Sequence, residues 1–401
     1  MATMPKLLKV GNPDTLTPPK SKWETIVTLT PVMLTLLATV LAGLSSSEMI
    51  QAQYYRSLAA QNQSKAGDQW GFFQAKRIRG TIVERLLDQK PGIPGRVEPE
   101  QLRHVVERLA DRYQSAKEQA SSLQAVAAAG QPLHDAAGKL LGAATANAAD
   151  AMKDLTTLTT MLAQKETQAA LAYLGTDRLP QTEANAPQAP GIAAALEAVA
   201  NRQPEEELAP LLLEVDAKNL QTALETAETN AKSFEDAAKG VDRSLRDADA
   251  LVRRERAMAY GFHRAAGEVE TALADQRGQR ELQAAAAAVA STDTAIQRTA
   301  DQLNDYRDAR DDFTARRNER EARNNQAIAG LYELQVHQNS VISEKHRRRS
   351  KNFFYGMLCA QGGVAIASLS LAARRRSALW GMAGVAGLTA LIFSIYIYLY
   401  V

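Results

Sequence analysis

The sequence predicts an all-α membrane protein, with three transmembrane helices and a long helical, coiled-coil extramembrane stalk. Three observations carry that reading. Three apolar stretches are each long enough to cross a bilayer, one near the start of the chain and two at its end. Alanine and charged residues dominate everything between the first and second of them. Aromatic residues are only 5% of the 401-residue chain, which suits long helices better than a deep mixed core. The implied organisation is a polar tail over 1–25, spans over 26–44, 353–373 and 379–401, and an elongated helical domain over 45–352.

The first span, Ile26 to Leu44, carries no charge over 19 residues, enough to cross about 30 Å of hydrocarbon at about 1.5 Å per residue. Its length and the polar leader favour an uncleaved anchor over a signal peptide. Pro31 is expected in the first turns of the span, where a missing amide donor costs least. The second and third spans are separated only by Arg374, Arg375, Arg376, Ser377 and Ala378, which forces an antiparallel hairpin. Phe353, Phe354 and Tyr355 begin that hairpin and Tyr396, Tyr398 and Tyr400 end it, so they form an aromatic belt on one face of the membrane. Trp380 and the three arginines mark the other face, together with Trp23. Gly381, Gly384 and Gly387 recur at three-residue steps, with Gly363 and Ala367 four apart. Such positions let helices approach closely in lipid, either within the hairpin or between subunits. No span has an ionisable residue at its centre, which argues against a transporter. Basic residues flank both sides of the spans about equally. The arginine turn, too short to be easily translocated, places itself and the N-terminal tail in the cytoplasm. The helical domain then lies outside the cytoplasm.

Within the domain a first helix is expected from Ser47 to Gln89, ended by Pro91-Gly92-Ile93-Pro94-Gly95. A second runs from Pro99 to Ala129 and a third from Leu133 to Gly175. The proline-rich segment Thr176 to Ala189 reads as an exposed loop, and the stalk tip falls near 176–204. A short helix over Gly191 to Arg202 follows, and Pro204 with three glutamates opens another. From Pro210 to Lys351 there is no further proline, and Gly261, Gly267 and Gly278 bend this stretch without ending it. Ile296, Thr299, Leu303, Tyr306, Arg310 and Phe313 alternate steps of three and four, a coiled-coil seam continued more loosely by Ala327, Leu331, Leu334 and Val341.

Signs of chemistry are few. The net charge of +2 gives no basis for nucleic-acid binding. A single cysteine, Cys359, excludes an intrachain disulfide. Zincin, phosphate-loop and nucleophile-elbow motifs are absent. Glu333 and His337 share a helix face but read as a solvated pair, so neither a metal nor another cofactor is expected. The basic run Lys345 to Lys351 flanks a span and is also suited to anionic headgroups.

One segment stands out: Gln61 to Arg79, with Asp68-Gln69-Trp70, the pair Phe72-Phe73 and Gln74-Ala75-Lys76. Trp70, Phe73 and Arg77 share one helix face, and Phe72 and Lys76 a neighbouring one. That aromatic surface asks for a partner, either the returning helix near 320–345 or a neighbouring subunit. The segment resembles the signature of the DUF4337 family of bacterial membrane proteins, over about 24–90 and 320–401, with 95–300 as an expansion. The resemblance implies architecture and no activity. The expected function is therefore non-enzymatic: a membrane scaffold that associates with itself through stalk and spans, in contact with membrane lipids and open to a protein partner at the tip. A pore-forming or channel-associated sensor role is the alternative.

Overall fold

The computed structural model describes residues 22–88, 98–127, 130–174, 179, 190–274, 280–372 and 376–400. Among them the regular structure is helical throughout, with no strand. In chain order the helices are α1 (Lys22–Asp88), α2 (Pro99–Val126), α3 (Gln131–Leu162), α4 (Lys165–Leu174), α5 (Pro190–Ala200), α6 (Glu205–Glu214), α7 (Ala217–Ala274), α8 (Arg280–Asp301), α9 (Leu303–Ala372) and α10 (Arg376–Tyr400). They form two compact units, one drawn from Lys65–Glu197 and Val215–Tyr332, the other from Met1–Ser64, Ala198–Glu214 and Glu333–Val401.

The first of these units contains an up-down-up-down bundle of α2, α3, α7 and α8, each antiparallel to the next. The pairings are legible in side-chain contacts. Lys139 bonds Glu268 at 2.9 Å and Asn147 donates to the Met258 carbonyl at 3.1 Å, joining α3 to α7. Gln297 donates to the Ala259 carbonyl at 2.9 Å, joining α8 to α7. Thr292 donates to Gln119 at 2.6 Å, joining α8 to α2. Apolar residues at three- and four-residue steps turn Leu102, Val106, Leu109, Tyr113, Ala116, Ala120 and Leu123 of α2 inward, against Leu133, Leu140, Ala144, Ala151 and Leu158 of α3. Pro99 opens α2 where its absent amide is not needed. The start of α9 lies against α7: Tyr306 donates to the Leu245 carbonyl at 3.1 Å, and Arg310 pairs with Asp249 at 2.7 Å.

The other unit holds three helices with stretches long and apolar enough to cross a membrane, from α1, the end of α9, and α10. Leu41, Ala38, Phe353, Ala360, Ala390 and Ile397 form one apolar cluster between them, and Leu34, Ala367 and Ala383 another. Two glycines sit where helix surfaces meet. A Cβ on Gly363 would lie 3.3 Å from the Ala383 carbonyl oxygen and 3.3 Å from Leu34 Cδ1. One on Gly356 would lie 3.1 Å from Ser394 Oγ. Trp380 Nε1 donates to Thr30 Oγ1 at 2.9 Å, tying α10 to α1.

Several expectations need correction. Phe353 is buried within the apolar cluster and does not face outward with Phe354, Tyr355, Tyr396, Tyr398 and Tyr400, all of which are exposed. Of the three spaced glycines, Gly387 packs against Leu34 of the first span, whereas Cβ atoms on Gly381 and Gly384 would meet nothing within 4 Å. Pro31 lies inside α1 rather than in its first turns, because the helix already begins at Lys22. Thr30 and Thr35 bond back to the Ile26 and Pro31 carbonyls around it, as hydroxyls in apolar helices do. The expected third helix is two, interrupted where Gln168 Nε2 turns back onto the Leu162 carbonyl at 2.5 Å. The proline-free stretch is likewise divided into α7, α8 and α9, and the seam from Ile296 to Phe313 crosses from α8 to α9. Gly261 and Gly267 leave α7 unbroken, while Gly278 lies outside the described residues. Ile328 is buried in place of Ala327, which is exposed. Of the segment 176–204 named as the tip, residues 198–204 belong to the unit with the spans, and just beyond it the Leu212 carbonyl accepts from Gln338 of α9 at 3.3 Å. Arg374 and Arg375, and the side chains of Trp23 and Arg376, lie outside the described residues.

The two kinds of glycine give a paired test. Gly363→Leu forces a side chain into a closed contact, an overpacking cost of about 1–3 kcal/mol, and lowers the thermal midpoint of the full chain in detergent. Gly384→Leu enters open space and leaves the midpoint within error of the parent. Circular dichroism melts compare them directly, and equal midpoints for the two variants would contradict this packing.

Candidate functional site

The distinctive segment lies wholly on α1, beside α9. Helical spacing brings Trp70 and Phe73 together edge-to-face, with ring centres 5.3 Å apart, and sets the Arg77 guanidinium 5.9 Å above the Phe73 ring. One turn along, Gly80 gives close approach: a Cβ there would lie 3.6 Å from Asn318 Cβ and 3.7 Å from the Ala315 carbonyl oxygen. Lys76 pairs with Glu321 of α9, which also takes Arg317 Nε at 2.8 Å. Arg317 reaches on toward Asp242 of α7 at 3.7 Å. An α1 lysine is thus held by an acid and arginine relay that continues into the bundle.

The segment faces two grooves. Phe73, Arg77 and Gly80 line one of about 470 Å³ with Asp312, Arg316 and Glu319 opposite. Gln69, Phe72 and Lys76 line another of about 430 Å³ with Glu228, Lys232 and Asn325. Both are open and carry both signs of charge. Phe73 and Arg77 thus face one groove and Phe72 and Lys76 the other, whereas Asp68, Gln74 and Ala75 are exposed; the α9 residues opposite lie over 312–328, overlapping only the start of the expected 320–345. Trp70 and Phe73 are half-buried there, while Phe72 remains exposed.

A second face of α1 was not foreseen. Ile78, Ile82 and Leu86 are 60%, 55% and 57% exposed. With Gly71 and Ala75, also exposed, they form a line at steps of three and four residues on the side of the helix away from Phe73, Lys76 and Gly80. A Cβ on Gly67 or Gly71 would meet nothing within 4 Å. The spacing is present in the sequence, but three apolar residues among the charges of a long helix do not by themselves distinguish an outer face from a buried one.

The geometry defines an all-helical protein with candidate membrane spans and a paired-helix signature. Residues 23–150 match the model of the family described as Domain of unknown function (DUF4337). The matched stretch takes in α1, α2 and more than half of α3, so it extends beyond residue 90, where the resemblance read from the sequence stopped, and does not include 320–401. No curated protein and no solved structure gives a match.

The bundle holds one more feature unseen in the sequence. Glu255 of α7 is fully buried beside Asp154 of α3, and neither of its carboxylate oxygens has a hydrogen-bond partner among the described residues. Burial, reinforced by the Asp154 charge, pushes its pKa up to about 8. Tyr113, whose hydroxyl is also buried, is raised by burial and by the charges of Glu255 and Asp293. Arg254 leans over the edge, 2.7 Å from Asp150 and 3.1 Å from Asp154. Among the described residues no group of three or more His, Cys, Asp or Glu is placed to hold a metal. The arrangement is therefore a buried carboxyl that holds its proton in a helical core.

Because folding raises this carboxyl above its ordinary value of 4.5, the native state keeps a proton that the unfolded chain releases. The contribution is least unfavourable below pH 4.5 and worsens as pH rises toward about 8, at about 1.4 kcal/mol per pH unit. Glu255→Gln removes this slope and makes the full chain more stable than the parent at pH 8. Chemical denaturation in detergent at pH 5, 6.5 and 8 reads it; parallel pH profiles for parent and variant would show that Glu255 is not protonated in the core.

Proposed function

We propose that the protein is a non-enzymatic, membrane-anchored scaffold that associates with copies of itself. The observation that carries this reading is the uncovered line Gly71, Ala75, Ile78, Ile82 and Leu86 on α1. It lies outside the apolar segment of the helix, so lipid tails are not its natural cover. Its heptad-like spacing is that of a helix-pairing seam, and its small residues permit close approach. A second copy supplies a matching partner. Copies inserted in one membrane share an orientation, so identical lines meet in parallel about a twofold axis. The open face of Gly381 on α10 supports a further contact within the bilayer. In the same reading the protein resides in a bacterial inner membrane, with the arginine turn in the cytoplasm and the bundle on the opposite side.

The test is the mass of the full chain in nanodiscs, by light scattering corrected for lipid and scaffold. The parent is expected as a discrete oligomer. Ile78→Glu with Ile82→Glu dissociates it while helicity is retained, since both side chains face outward. Each buried isoleucine contributes about 1.5–3 kcal/mol, so the double variant weakens association more than about a hundredfold. A monomeric parent, or a double variant with the parent's mass, would overturn the proposal.

A further inference from the structure

Where α9 changes from charged to apolar sequence, it faces the exit of α1 from its apolar segment. The two helices are locked there. Ser45 Oγ donates to the Ser350 carbonyl at 2.9 Å, and Ser350 Oγ donates to the Ser45 carbonyl at 2.8 Å. One turn away Glu48 holds His346 at 2.5 Å, and Tyr55 stacks on the same imidazole with ring centres 5.6 Å apart and planes 4° from parallel. This frame fixes a groove of about 520 Å³ whose lining is both charged and apolar. Arg347, Arg348 and Lys351 of α9 line it, with Glu344 as the acid among them. Met49 of α1 and Phe354 of α9, both exposed, are its apolar lining, and the paired serines complete it.

The charges are arranged to receive an anion. Glu344 takes Arg347 Nε at 2.8 Å and Arg348 Nε at 3.3 Å, which orients both guanidinium groups. Those pairings hold the Glu344 carboxyl below its ordinary range, so it stays ionised. Three cations against one acid leave an excess of positive charge, and the arginine side chains remain 63% and 72% exposed. Lys351 Nζ is 6.0 Å from the Tyr355 ring centre, which keeps it near the boundary. A soluble anion would satisfy the cations and leave Met49 and Phe354 uncovered. A molecule with an anionic head and hydrocarbon tails satisfies both kinds of lining at once.

We infer that this groove binds the phosphate headgroup of one anionic phospholipid, with the acyl chains lying along Met49 and Phe354. Arg348 and Lys351 contact the phosphate, Arg347 shares it, and Glu344 positions the arginines. The site is distinct from the proposed self-association surface and does not depend on it.

Native mass spectrometry of the full chain in detergent tests this with phosphatidylglycerol, phosphatidylcholine or inorganic phosphate added. One discrete phosphatidylglycerol adduct per chain is expected, favoured over phosphatidylcholine by about tenfold or more, as two or three cations near a headgroup provide. Arg348→Gln and Lys351→Gln each weaken it about fivefold, and Phe354→Ala weakens it while leaving the preference for the anionic headgroup. Lys345→Gln removes an exposed charge outside the groove and changes binding less than twofold. The site is overturned if Lys345→Gln costs as much as Arg348→Gln, which would indicate diffuse attraction only. Equal retention of the two lipids also overturns it, as does displacement of the lipid by inorganic phosphate at the same concentration with no effect of Phe354→Ala.

Discussion

Antiparallel pairing of α1 with α9 is the constraint that recurs in both units, since each contains a stretch of these two helices. The seam is unusual in composition. On α1 it buries Ala52, Ala59, Asn62, Ala66 and Gly80, residues that contribute little apolar area. Small side chains bring the helix axes close, but they define a register poorly, because one alanine fits another's place. Polar partners supply the register. In one unit Ser45 meets Ser350, Glu48 meets His346 and Ser343 donates to the Ala52 carbonyl. In the other Lys76 meets Glu321 and Lys65 lies over the Tyr332 ring. A slip of seven residues would set Glu48 against Phe353 or Asn339, and Lys76 against Ile328 or Thr314. Unpaired charge in a close helix interface costs several times what a correct pair contributes, so alternatives to the native register are strongly penalised.

The chain between these partners must close a long loop before they meet, a cost that falls on folding rate more than on stability. The bundle of α2, α3, α7 and α8 reduces that difficulty by having a core of its own. Its helices pair with sequence neighbours, α2 with α3 and α7 with α8, around Tyr113, Phe262, Leu140 and Ile296. Tyr306, Arg310 and Arg317 then tie the first turns of α9 to α7. The buried Glu255 is a weak point in this core. It is tolerated because a carboxyl that retains its proton avoids most of the cost of burying charge.

Much of this was legible in the sequence, for identifiable reasons. Spans are read from length and hydropathy, and the start of α3 from Pro132, tolerated in a first turn where no amide donor is needed. The signature face followed from the spacing of Trp70, Phe73 and Arg77. Azimuth within a span was not legible. When every side chain is apolar, nothing in composition separates the lipid side from the protein side. Phe353 was therefore placed outward and is buried, and three equivalent-looking glycines divide into one packed and two open. The reversal between α7 and α8 also escaped, because no proline marks it. Glu255 escaped because a charged residue in a charged helix looks solvated until its neighbours are known.

The two faces of α1 differ in a way that monomer stability does not explain. Toward α9 the helix buries Asn62 and half-buries Gln69 and Lys76. Away from it, the same helix leaves Ile78, Ile82 and Leu86 in the open. Exchanging these roles would place apolar side chains in the seam and polar ones in water, a gain for an isolated chain by the ordinary hydrophobic argument. Polar groups inside are intelligible as register markers. Apolar groups outside are intelligible when a surface covers them, since exposed apolar patches on helices otherwise invite indiscriminate association. In the proposed assembly, restriction of copies to one membrane and one orientation would limit that risk and select the parallel encounter. In that assembly α1 is a two-sided element, whose polar face fixes the fold of one chain and whose apolar face would join it to the next.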